Sequence, residues 1–185
     1  MSHPISRRGL LVAGVGVMTT TRLGWSAATT EPRSATVKIE NFAADGTSQG
    51  IVEVTRVVRT EDEWRKLLPP GQSFAVTRLA DTEPPWSNHY DRNRASGLYR
   101  CICCNTALFD SKTKFDSRTG WPSFWQSISK LNVSESVDYK MIVARTAVSC
   151  TLCDAHLGHM FDDGPRPTGL RYCMNSVAMN FVKRA

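Results

Sequence analysis

Apolar and polar residues alternate from Val37 to Phe42 and again from Ile51 to Val58, the period-two pattern of half-buried strands. Asp45-Gly46 lies between the runs, which predicts a hairpin with a long loop. Thr60-Glu61-Asp62-Glu63 is a capping-box sequence and opens a helix through Leu68, where Pro69-Pro70-Gly71 stops it. Phe74 to Leu79 is too short a run to assign, and Glu83-Pro84-Pro85-Trp86 and Asn88 to Gly97 read as irregular surface chain. From Leu98 onward the pattern is one of short strands. Tyr139 to Val148 and Tyr172 to Val182 are the clearest, with turns at Asp163-Gly164-Pro165 and Pro167-Thr168-Gly169. In the last strand Arg171, Cys173 and Asn175 share one face, which Val177, Met179 and Phe181 continue as an apolar run. The pattern predicts a mainly β domain with peripheral helices.

Composition changes this picture only at the N-terminus. The chain has 185 residues and a formal charge of +6, enough length for one domain with a core. Residues 1–28 hold Arg7, Arg8 and Arg22 and no acid, so the rest carries only +3. That excess is small for a nucleic-acid partner. Arg7-Arg8 precedes an uncharged run, Gly9 to Thr21, too short to span a bilayer at about 20 residues. Ser26-Ala27-Ala28 fits a cleavage site. Residues 1–28 therefore read as a twin-arginine-type export signal, residues 29–58 as a linker and hairpin extension, and residues 59–185 as the main domain. The expectation is a periplasmic or exported protein, tethered to the membrane if the signal stays uncleaved, with no stable insertion otherwise.

Six cysteines carry the candidate chemistry. Cys101/Cys104 and Cys150/Cys153 form two C-x-x-C pairs. Two such pairs supply the four thiolates of a structural zinc site that ties distant segments together. Three disulfides, a redox dithiol or bound iron remain alternatives at this stage. With zinc on four thiolates, Cys103 and Cys173 are left over. Cys173 lies two residues from Arg171, and a nearby cation favours the nucleophilic thiolate. His156 and His159 follow the second pair closely enough to share a site, and histidine is the usual proton shuttle. Gly120-Trp121-Pro122-Ser123-Phe124-Trp125 is the densest aromatic stretch, and its rings suit a core.

Together these blocks resemble the B-type methionine sulfoxide reductases, from about Trp64 to Phe181. The marks are Thr82-Glu83-Pro84-Pro85, Tyr99-Arg100-Cys101 with Cys104, Phe115-Asp116-Ser117 and Gly120-Trp121-Pro122-Ser123-Phe124. Further on stand Cys150 and Cys153 with His156-Leu157-Gly158-His159, and Arg171-Tyr172-Cys173 with Asn175-Ser176. The resemblance implies two antiparallel sheets, one structural zinc knuckle and thiol-dependent reduction of free or protein-bound methionine-R-sulfoxide. It implies Cys173 as nucleophile, His156, His159 and Asn175 around the sulfoxide oxygen, and Arg171 as the residue favouring the thiolate. Trp121 and Phe161 become the wall for the S-methyl group. Implied partners are oxidised proteins or free methionine sulfoxide and a thioredoxin-like or small-thiol reductant, for a monomer. Many relatives carry a second cysteine just before Gly-Trp-Pro-Ser-Phe; here that residue is Thr119. A zinc-ribbon module for nucleic acid and a thiol–disulfide oxidoreductase are the alternatives from other classes.

Overall fold

The structure is a computed structural model that describes residues 35–139 and 144–184. The export-signal segment and residues 29–34 lie outside the described residues. Alternating residues form the predicted hairpin, β1 (Thr36–Phe42) and β2 (Ser48–Thr55), paired antiparallel with Thr36 opposite Thr55. The capping box closes as read: the Thr60 hydroxyl accepts from the Glu63 N–H, and Glu63 accepts from the Thr60 N–H at 2.7 Å. It starts helix α1 (Glu61–Leu67), which buries Trp64. The unassigned run after Pro-Pro-Gly forms a second short helix, α2 (Ser73–Leu79), buried through Phe74, Val76 and Thr77. Packing decides it, because seven residues are too few to be helical on propensity alone.

The remaining strands build two antiparallel sheets. β3 (Gly97–Cys101), β4 (Ala107–Asp110) and β11 (Met179–Lys183) form one, in the order β11-β3-β4. β5 (Lys114–Phe115), β6 (Ser123–Phe124), β7 (Val133–Asp138), β8 (Arg145–Cys150), β9 (His156–Phe161) and β10 (Arg171–Met174) form the other, in the order β5-β6-β10-β9-β8-β7. The core lies between them and has an aromatic centre. Phe109 of the small sheet stacks on Phe124 of the large one at 4.5 Å, and Tyr99 meets the same ring edge-on at 5.0 Å. All three are fully buried, and such pairs add about 0.5–1.5 kcal/mol each beyond the area they bury.

Two predicted strands are corrected. The run from Tyr139 to Val148 is not one strand: β7 ends at Asp138, which pairs with Arg145 of β8, and residues 140–143 lie outside the described residues. The run from Tyr172 to Val182 is also broken. β10 ends at Met174, a 3₁₀ turn takes Ser176–Ala178, and β11 then joins the other sheet. The break follows from where the backbone donors go. The Asn175 N–H bonds to Leu157 O, while Ser176 and Val177 donate to the two carboxylate oxygens of Glu83 at 2.7 and 3.0 Å.

Candidate active site and metal centre

Cys101 ends β3 and Cys150 ends β8; each is followed by the same tight turn. Asn105 N–H bonds to Cys101 O and Asp154 N–H to Cys150 O, and both turn residues are left-handed, at φ +64° and +55°. These residue types tolerate that conformation best after glycine. The turns bring Cys101, Cys104, Cys150 and Cys153 together with all four Sγ atoms within 4.8 Å of one another. Cys101–Cys153 and Cys104–Cys150 are 3.6 and 3.5 Å apart. A tetrahedron with Zn–S arms of ~2.3 Å has edges of ~3.8 Å, and a disulfide has ~2.05 Å. The four residues therefore fit one zinc ion, not two disulfides, and they join the small sheet to the large one.

Cys173 faces a cavity of about 110 Å³ lined by Thr82, Trp121, Arg145, His159, Phe161 and Asn175, among others. Gly158 of β9, opposite Met174, also lines it, and a Cβ there would overlap the Cys173 carbonyl oxygen. Burial pushes the Cys173 thiol above its ordinary range; Arg171 and the Thr119 and Ser123 hydroxyls pull it back down in part. Arg171 is shared. It makes two 2.8 Å bonds to Asp163 and lies over the Phe161 ring at 4.4 Å. Thr119 Oγ1 lies 4.0 Å from Cys173 Sγ and is 2.8 Å from Ser117, which contacts Ser123 at 2.7 Å.

His159 is the cross-strand neighbour of Cys173 on β9; its Nε2 is 2.8 Å from Asp138 Oδ2, which also accepts from Arg145 at 2.8 Å. Asn175 is held at both ends of its amide. Its oxygen accepts from the Glu83 N–H at 2.9 Å and its nitrogen donates to Leu157 O at 3.0 Å. Trp121 is fixed by an indole N–H bond to Glu83 O at 3.0 Å.

Residues 70–183 match the SelR domain. The peptide methionine sulfoxide reductase MsrB of Pseudomonas fluorescens (strain Pf0-1) is 53% identical over 129 residues, 70% of this chain and 98% of the relative. The MsrB of Pseudomonas putida (strain GB-1) is 51% identical over 129 residues, again 98% of its length. That of Herminiimonas arsenicoxydans is 49% identical over 126 residues, 68% of this chain and 91% of the relative. The chain belongs to the MsrB family of peptide methionine sulfoxide reductases.

In this MsrB chain the structure gathers Cys173, His159, Asn175, Trp121 and Phe161 around one cavity, with Arg171 beside the thiol. It places His156 elsewhere: that ring lines a neighbouring cavity with Thr77, Arg78 and Asp138, and meets the His159 ring edge-on at 5.1 Å. Three residues of the site were not singled out from sequence: Asp138, Arg145 and the fully buried Glu83. Glu83 belonged to a quoted motif, but the backbone N–H groups its carboxylate holds lie more than 90 residues away. Cys103 is half-buried against Thr77, Arg78 and Cys153, and shares none of Cys173's neighbours.

Proposed function

We propose that this chain reduces methionine-R-sulfoxide, free or within oxidised proteins, to methionine. The observation that carries the reading is a cysteine at one wall of a small, largely apolar cavity, with a carboxylate-held histidine opposite, in an MsrB chain. A sulfoxide sulfur is open to attack when its oxygen takes a proton. Trp121 and Phe161 receive the S-methyl group, and sulfur–aromatic contacts favour that placement. His159 delivers the proton to the sulfoxide oxygen as Cys173 sulfur attacks. The S–S bond so formed then breaks with its electron pair going to methionine, while the hydroxyl passes from the substrate sulfur to Cys173 sulfur and leaves a sulfenic acid; the thiol proton replaces the one that His159 gave up. Asp138 holds the His159 ring, and Asn175 offers its second amide hydrogen to the oxygen. His156 acts through His159 as a positioning residue. Zinc supplies no step; held by its four thiolates, it fastens the fold.

Recycling follows from Thr119. With no cysteine there and Cys103 in a different neighbourhood, an external thiol attacks the sulfenic sulfur and expels water. A second thiol then resolves the mixed disulfide; a thioredoxin-like protein or a small thiol serves. Residues 1–28 send the chain out by the twin-arginine route as a monomeric repair enzyme for envelope proteins. Among the described residues no helix is long and apolar enough to cross a membrane.

The test is an assay of both epimers with dithiothreitol as reductant. The R epimer is consumed, and Cys173→Ser abolishes the reaction without unfolding the protein. Consumption of the S epimer instead, or an active Cys173→Ser, would overturn the reading.

A further inference from the structure

At about 110 Å³ the Cys173 cavity is well below the ~300–1,000 Å³ of pockets that enclose a whole small ligand. It takes the end of one side chain. Whatever else the substrate carries must lie on the surface around the mouth. Trp86, 56% exposed, is not part of the cavity lining but lies four residues after Thr82, which is. It comes three residues after Glu83, whose carbonyl holds Trp121. Its backbone N–H bonds to Gly120 O at 2.9 Å. Gly120 sits between Thr119, 4.0 Å from the Cys173 sulfur, and Trp121 of the cavity wall.

The indole is held in place. Trp86 has φ +58°, a left-handed conformation that is unfavourable for a bulky residue. Gly120 is at φ +89°, and a Cβ there would come within 2.7 Å of the Trp86 ring and 2.8 Å of Pro85 Cβ. The ring thus lies against the bare face of a glycine. An isolated exposed aromatic is ordinary. One kept in a strained backbone conformation and packed on the glycine that joins Thr119 to Trp121 of the cavity wall points to a function. A rigid aromatic also offers contact area at little entropic cost.

We infer that Trp86 is a docking surface for the polypeptide on either side of the methionine sulfoxide, selecting protein-bound substrate with an apolar neighbour. The inference rests on the reading of the Cys173 cavity as the site of sulfoxide reduction. Free methionine sulfoxide puts its side-chain end in the cavity and has no flanking residue to cover the indole. A peptide adds a flanking side chain that covers it.

The experiment compares free methionine-R-sulfoxide with two short peptides, one flanking the sulfoxide with leucine and one with serine. The enzymes are wild type, Trp86→Asn and Trp86→Phe. Asparagine tolerates the left-handed conformation, so the turn is kept while the ring is lost. Wild type prefers the leucine peptide through KM. Trp86→Asn lowers kcat/KM for that peptide about tenfold and for the free amino acid less than twofold. Trp86→Phe restores most of the preference. An equal loss on all three substrates would make Trp86 a structural prop, and no leucine preference in wild type would remove its role; either overturns the inference. Wild type inactive on every R-epimer substrate would sink the catalytic reading and this inference with it.

Discussion

Burial and charge pull the Cys173 thiol in opposite directions. Burial wins in the free protein, so the thiol stays protonated near neutral pH; Arg171 limits the rise but is itself bound to Asp163. The sign gives a prediction. A thiol whose pKa is raised is alkylated slowly at pH 7, and the rate still climbs as pH passes 9. Iodoacetamide labelling of the Cys173 peptide, followed by mass spectrometry, measures this. Arg171→Ala removes the cation and leaves Asp163 uncompensated, so labelling slows further at any given pH; a faster rate would refute the arrangement. Arg171 and Cys173 were readable as a pair because they are two residues apart on one strand. Asp138 was not, because its bond to His159 spans two strands of the large sheet, and nothing local in Val137-Asp138-Tyr139 marks it.

At the scale of elements, the decisive event is that the chain leaves one sheet just past its nucleophile and enters the other. The buried Glu83 carboxylate governs it by taking the Ser176 and Val177 N–H groups. Glu83→Ala strands both donors, and unsatisfied buried groups cost about 1–3 kcal/mol each. The expected loss is about 2–4 kcal/mol, read as a lower urea midpoint at unchanged slope, with Glu83→Gln recovering part of it. A midpoint equal to wild type would show that water replaces the carboxylate. The capping box of α1 was legible because a cap is a matter of four consecutive residues. The interruption at Ser176 was not: Tyr172 to Val182 holds no Gly or Pro to break a strand, and the acceptor that breaks it lies 93 residues earlier. α2 was unreadable for a similar reason, since its burial against the rest of the fold makes it helical.

The main domain is two sheets fastened twice, once by the chain running from β10 into β11 just past Cys173 and once by the four thiolates. Chelating the metal therefore loosens the contact between the sheets. Metal binding is coupled to folding, so a strong chelator added to the zinc-loaded protein should lower its thermal midpoint and broaden the near-ultraviolet circular dichroism change together. Retention of both would mean that the aromatic core alone holds the sheets. The zinc pairs were legible as a pattern of spacing, while the fact that they bridge two sheets is a property of the topology. Thr119 has a consequence of another kind. On the proposed reading, a hydroxyl 4.0 Å from the Cys173 sulfur forms no covalent link to it, so after each turnover the oxidised enzyme waits for a collision. Its turnover at low reductant is then first order in that reductant, with no internal step to cap it. The same wait exposes the sulfenic acid to further oxidant, which converts it irreversibly to sulfinic acid. The working life of one molecule, counted in methionines repaired, becomes a ratio of two encounter rates, and the surrounding balance of thiol and oxidant sets it.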